Sequence, residues 1–264
     1  MYTEMPFIKR KLRGLAWKIF NTIENNGNAD FEQNGEKPFV DNLLNSLKLT
    51  VKEGQVVFDI GANIGDYSTM LLEKAKKIDL PLEVHLFEPT HSCFNIIKEK
   101  FRNQSNMTLN NFGISNFDEH ATIYYDKEQS GLASLYQRNL DSYNLKMNQS
   151  EEIVLKRVDK YIEQKNIQHI DFIKIDIEGH ELKAFEGFGK YLNADFIDYI
   201  QFEYGGANLD SHTSLMEIYK FFEDRNFKIA KMMPNGLEIR SYQPYMENFN
   251  YSNFVAISSK ILNK

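Results

Sequence analysis

The segment VVFDIGANIGDYS at residues 56–68 constrains this chain more than any other stretch. A β-branched apolar run ends in a carboxylate, Asp59. Two glycines follow, Gly61 and Gly65, and then a helical pattern that continues to about Lys76. This reads as a buried strand turning sharply into a helix. In open α/β sheets, ligands bind at such carboxyl strand ends.

The rest of the chain repeats the alternation. Residues 82–87, 107–114, 121–125, 170–175, 196–202 and 253–257 read as strands, and 92–101, 180–191 and 214–224 as helices. Strands alternating with helices predict an α/β domain whose mostly parallel, Rossmann-like sheet has helices on both faces. The polar stretch 127–152 interrupts the alternation as a surface excursion. Upstream, a turn at Glu53-Gly54 leads into the domain, predicted to span 51–264. Residues 1–50 form an N-terminal helical arm and linker. Within it, Phe39, Leu43, Leu44 and Leu47 mark a helix, and the Gly/Asn-rich 24–37 a linker. Over 7–20, Ile8, Leu12, Leu15, Ala16 and Ile19 share one helical face with most basic residues off it. Such a helix packs on its own domain, on a second subunit, or on a membrane surface. Packing on protein is the ordinary pattern.

A hydrophobic fraction of 42% supports a sizeable core, and a single cysteine excludes an internal disulfide or a cysteine-based zinc site. No stretch reaches the apolar length of a membrane span, and Lys9, Arg10, Lys11 and Arg13 break up any signal-peptide run. A cytoplasmic protein is expected. The net charge of −6 argues against general nucleic-acid binding.

The ligand's character follows from the loop. Gly61 lets the backbone turn close to a ligand, and Gly65 starts the helix tightly against it. Glu88, at the end of the next strand, is placed to accept hydrogen bonds from ribose hydroxyls. Asn63 stands where a dinucleotide site carries its middle glycine, and Asp59 would repel a phosphate. S-adenosylmethionine (SAM) has no phosphate and a positive amine, which Asp59 could face directly or through water. The loop therefore suits SAM as cofactor.

DIGANIGDYS, HLFEP, SGLASL, KIDIEGHE and IQFEY occur in the order found in the FkbM-type methyltransferase family, which the chain resembles over residues 56–258. The resemblance implies a class I methyltransferase fold, a seven-stranded sheet with an antiparallel last strand. It also implies SAM as methyl donor and a hydroxyl acceptor on a sugar, polysaccharide or polyketide. Ser130 to Leu135 match a loop near the adenine or the acceptor.

The reactive end is expected at Lys174-Ile175-Asp176-Ile177-Glu178-Gly179-His180-Glu181. If the backbone stays extended through Glu178, Asp176 and Glu178 point to one side. Methyl transfer to oxygen needs alignment and a proton acceptor. Asp176 and Glu178 are the core candidates, Asp176 also touching cofactor, with His180 as a candidate base. Each has a structural alternative, a helix cap or an ion pair. Glu181 suits the helix N-terminus, and Lys174 a positioning role. Glu203 and Tyr204 end another strand nearby. Asp176, Glu178, His180 and Glu203 could ligate Mg²⁺ or Mn²⁺, but no spacing demands it, and no metal is assigned. With the acceptor class that the resemblance implies, the expected protein is an O-methyltransferase acting on a small-molecule or glycan acceptor, of the surface-polysaccharide type. A nicotinamide-dependent oxidoreductase and a non-catalytic SAM-binding protein are the alternatives.

Overall fold

The computed structural model describes residues 5–50 and 54–263, so the expected start of the domain and its turn residue Glu53 lie outside the described residues. The first half of the chain runs α1 (Phe7–Ile23), α2 (Glu36–Lys48), β1 (Gln55–Ile60), α3 (Asp66–Lys77), β2 (Leu82–Phe87), α4 (His91–Lys100) and β3 (Met107–Asn110). Next come β4 (Gly113–Ile114), β5 (Glu119–Tyr125), β6 (Gln149–Lys156), α5 (Val158–Lys165), β7 (Ile170–Ile175), α6 (Glu181–Gly187) and β8 (Ile197–Tyr204). The chain closes with α7 (Gly206–Asp210), α8 (Leu215–Glu223), β9 (Phe227–Met233), β10 (Gly236–Ile239), β11 (Ser252–Ser258) and α9 (Ser259–Leu262).

The main sheet has the order β10-β9-β11-β8-β7-β1-β2-β3. Strands β8, β7, β1, β2 and β3 are mutually parallel, and β11 runs antiparallel to both neighbours. This is the class I methyltransferase arrangement, with eight strands instead of the expected seven. The extra strand is β10, which returns from β9 with Gly236 opposite Met233. Every residue of β7 is buried, as a parallel strand covered on both faces requires.

Two cores result. On one face, Phe58, Ile60, Ile173, Ile175 and Phe202 pack against Phe185 and Phe188 after β7 and Phe222 of α8. On the other, Val57, Phe172 and Val255 meet Phe39, Val40, Leu43, Leu44 and Leu47 of α2 and Leu71 of α3. The leucine pattern of α2 is thus the pattern of a core helix. Residues 24–37 are held down by polar contacts. Asn25 Nδ2 donates to Asn34 O (2.7 Å) and to Met232 O (3.1 Å), and Gly27 N donates to Tyr251 O (2.8 Å).

Other expectations need correction. The stretch 107–114 is two strands in two sheets, and 121–125 pairs with β6 in a three-stranded sheet of order β4-β6-β5 outside the main one. The excursion therefore ends in a strand. Strand β9 escaped the pattern because Lys231 interrupts its apolar run. That lysine is 3% exposed, neutralised by Glu24 at 3.3 Å and hydrogen-bonded to Asn26 Oδ1 at 2.6 Å.

Candidate active site

Strand register assembles the site. Ile60 pairs with Phe87 and with Ile175, and Ile175 with Phe202. The residues one step further on, Gly61, Glu88, Asp176 and Glu203, therefore share a rung at the carboxyl end of four adjacent strands. Gly61 N donates to Phe87 O (3.0 Å), and Asp176 N to Ile60 O (3.1 Å). Gly61 has φ +79°, and a Cβ there would lie 1.9 Å from Asp176 O. Only glycine lets the two loops touch.

Beneath the rung, on the α2/α3 face, lies a buried polar floor. Side chains alternate along a strand, so Asp59 and Lys174 share this face with Gln201. Ser68 Oγ donates to Asp59 Oδ2 (2.6 Å), Tyr67 Oη to Gln201 Oε1 (2.8 Å), and Gln201 Nε2 to Glu36 Oε1 (2.7 Å). Lys174 Nζ reaches Asp176 Oδ2 at 3.3 Å. Burial pushes the Lys174 pKa down, but Asp176, Asp59 and Glu36 outweigh it and raise the value. Burial raises the Asp59 pKa, opposed by Lys174 and Ser68.

The turn after β7 departs from the extended path expected for it. The strand stops at Ile175, and Glu178 is left-handed at φ +52°. Gly179, at φ +98°, completes the turn beneath Ala207. Glu181 Oε1 accepts from Ile177 N (3.1 Å) and Gly179 N (3.3 Å), and Ser134 Oγ donates to Glu178 O (2.8 Å). Glu181 thus ties the turn to its own helix. The Glu178 carboxylate accepts from Arg138, whose Nε also donates to Asp210 Oδ2 at 3.2 Å.

Above the rung opens a cleft of about 330 Å³. Gly61, Asn63, Glu88, Asp176, Glu178 and His180 line it, while Asp59 and Gly65 do not. Asp59 is sealed below the loop, and Gly65 packs against Phe101, where a Cβ would fall 2.7 Å from Cε2. The small sheet and the 130–135 loop supply an apolar wall of Ile114, Ile123, Ile153, Leu155 and Leu135. Asn63 Nδ2 donates to Ser130 O (3.0 Å), fastening that loop to the glycine turn.

Glu88 accepts from Asn63 N (2.9 Å), Thr90 N (2.8 Å) and Thr90 Oγ1 (2.5 Å). Burial nevertheless lifts its pKa to about 7. At the other end, burial raises Glu178 and Glu203, and Asp176 raises both further. Arg138 opposes this at Glu178, and Lys174 at Glu203. His180 behaves differently. Nδ1 meets Tyr136 Oη at 3.1 Å and Nε2 meets Ser115 Oγ at 3.0 Å, and burial lowers its pKa to about 4. The ring clamps two loops, with both nitrogens engaged. Among the described residues, no three of Asp176, Glu178, His180 and Glu203 bring ligand atoms within 4.8 Å of one another. The trio that does is His169, Asp171 and Asp198, at the opposite end of β7 and β8.

Sequence reasoning missed Arg138, Glu36, Gln201 and Tyr67. Tyr67 and Gln201 lie inside DIGANIGDYS and IQFEY, but their roles, like those of Arg138 and Glu36, depend on partners far away in the chain.

Residues 59–229 match the family model for the methyltransferase FkbM domain. No curated protein matches the chain. Among solved structures, the chain is similar to the methyltransferase FkbM of Methylobacillus flagellatus KT, at 15% identity and TM-score 0.46, covering 83% of this chain and 48% of that one. It is similar to the CMeT domain of the citrinin polyketide synthase at 9% identity and TM-score 0.44, covering 81% and 49%. It is also similar to Aeropyrum pernix fibrillarin with natively bound SAM, at 12% identity and TM-score 0.41, covering 83% and 73%. The chain spans about half the length of the first two.

Proposed function

The chain belongs to the FkbM family of SAM-dependent methyltransferases, and on that premise we propose that it methylates a hydroxyl of a sugar or glycoconjugate acceptor. The observation that carries this reading is the gathering of Asp176, Glu178 and Glu203 at adjacent strand ends, beside a cleft whose far side holds Glu88.

The residues fit the donor. A carboxylate has about four acceptor sites, and three on Glu88 are taken, which leaves capacity for a ribose hydroxyl. Asp176 offers a carboxylate to an ammonium at the cleft floor. The wall of Ile114, Ile123, Ile153 and Leu155 suits a purine. When bound, SAM supplies a methyl group on a positively charged sulfur.

The chain's own contribution is alignment and proton transfer. Arg138 fixes the Glu178 carboxylate, which orients the acceptor hydroxyl. Glu203, buried on the same rung with its pKa raised by burial and by Asp176, Glu178 and Glu181, is the proton acceptor for the hydroxyl. His180 positions the turn. An acceptor end built of carboxyl groups offers hydrogen-bond partners to neutral hydroxyls, which supports a saccharide.

Turnover of methyl-labelled SAM with a panel of neutral saccharides and amines tests the reading. Label in a sugar methyl ether, lost in Asp176→Asn and Glu178→Gln, is expected. Label on nitrogen, or full turnover in both variants, would overturn it.

A further inference from the structure

Helix α1 has no buried residue. Ile8, Leu12, Leu15, Ile19 and Ile23 are 71, 59, 56, 51 and 65% exposed. At about 100° per residue they form one continuous stripe, so its apolar face is uncovered. The contact with the body is made elsewhere on the helix. Phe20 meets Tyr245 edge-on at 6.1 Å and stacks on Trp17 at 5.8 Å, and both Phe20 and Trp17 lie off the stripe. The segment following α1 is fastened firmly. Glu24 pairs with Lys231 (3.3 Å) and with Arg240, and Gly27 N bonds Tyr251 O (2.8 Å). The stripe is held out on an anchored helix, facing away from the protein.

Charge identifies what covers it. The helix carries Lys9, Arg10, Lys11, Arg13 and Lys18 and no acid, on a chain of net charge −6. By the same helical geometry, Lys11 and Lys18 border one edge of the stripe, and Lys9 and Arg13 the other. An apolar stripe rimmed by cations matches the boundary between acyl chains and anionic headgroups. Packing α1 on α1 of a second copy would bring two such cationic rims together. Among the described residues, eight of the sixteen exposed large apolar residues lie at Met5 to Ile23, and the other eight belong to other parts of the chain. No described helix is long and apolar enough to cross a membrane.

We propose that α1 is an interfacial helix that docks the protein on an anionic lipid bilayer, its stripe of Ile8, Leu12, Leu15, Ile19 and Ile23 sunk among the acyl chains. This does not depend on which acceptor is methylated. The segment that follows α1 is bonded at Gly27 to Tyr251, which lies beside Glu203.

The test is flotation of the full chain with phosphatidylglycerol/phosphatidylcholine vesicles and with pure phosphatidylcholine vesicles, paired with light scattering for mass. Binding to the anionic vesicles is expected, weakened about tenfold or more by Leu12→Glu/Leu15→Glu and by Lys9→Gln/Arg13→Gln. Both variants should keep the thermal shift that S-adenosylhomocysteine gives the parent, which shows that they fold. Absence of binding to anionic vesicles, or equal binding by the Leu12→Glu/Leu15→Glu variant, would overturn the proposal. So would a dimer that this variant converts to monomer.

Discussion

Arg138, on the loop between β5 and β6, donates to the carboxylate of Glu178, a left-handed residue in the turn after β7. A backbone conformation unfavourable to a glutamate is thus held by a cation brought from 40 residues away. The same guanidinium reaches Asp210 after β8, so one side chain spans the acceptor end of the site.

Replacing Arg138 by Gln frees the Glu178 side chain while leaving both cores untouched. The expected outcome is a fall in kcat of about ten- to a hundredfold with a smaller change in KM, because misalignment acts on the transition state. The double variant Arg138→Gln/Glu178→Gln should lose little more than Glu178→Gln alone. Steady-state kinetics with a melting curve checks this. An unchanged kcat with a lower melting temperature would make the pair purely structural.

Glu88 gives a pH signature to cofactor binding. Burial raises its pKa to about 7, and a ribose hydroxyl needs its ionised acceptor form. As pH falls below that value the free protein takes up a proton that binding must expel. Affinity for S-adenosylhomocysteine should then weaken by up to about tenfold per pH unit. Calorimetric titration from mildly acid to mildly alkaline pH reads the slope. Glu88→Gln should bind more weakly at high pH and lose most of the slope, and an identical slope in that variant would reassign it.

His180 ties stability to pH through a pKa shift in the opposite direction. Its folded pKa is lowered by burial from 6.5 to about 4. Between those values the unfolded imidazole binds a proton that the folded one refuses, so acid favours unfolding. The contribution is complete above the unfolded value and fades as pH drops towards the folded one, by up to about 3 kcal/mol. Glu88 and Glu181, with raised values, pull the other way, so the informative quantity is the difference between parent and His180→Gln. Urea denaturation across this range should show that difference shrinking as the solution is acidified.

How much of this could be read in advance follows from where each signal lies. Asp59, Gly61, Glu88 and Asp176 each end or follow an apolar run, and strand ends mark a ligand rim before any register is known. The direction of Asp59 was harder to read. Whether a carboxylate at a strand end faces the cleft or the floor depends on which face Ser68 and Lys174 occupy. Glu178 misled because its left-handed turn is set by Glu181 and Gly179 together with Ser134 and Arg138 from distant parts of the chain. Arg138 and the Glu36–Gln201 contact, 165 residues apart in sequence, left no trace in any window of the chain. Strand β9 was hidden for a similar reason, because Lys231 reads as exposed until Glu24 and Asn26 are placed beside it.

Gly61 offers the sharpest test of the shared rung. A methyl group on it would meet Asp176 O at 1.9 Å and Ile177 Cγ2 at 2.9 Å, and its φ of +79° disfavours any side chain. Both neighbours belong to the turn that sets Asp176, and the backbone oxygen cannot move without shifting the end of β7. Gly61→Ala should therefore cost roughly 1–3 kcal/mol of stability from strain. S-adenosylhomocysteine affinity should fall further than that strain alone accounts for, because Asp176 is displaced from the cleft floor. Gly14→Ala in α1, which has nothing within 4 Å of its added methyl, is the control and should lose neither. Parallel melting and binding measurements on the two variants decide the matter. If Gly61→Ala bound S-adenosylhomocysteine as tightly as the parent, the contact between the glycine turn and Asp176 would have no part in forming the cofactor site.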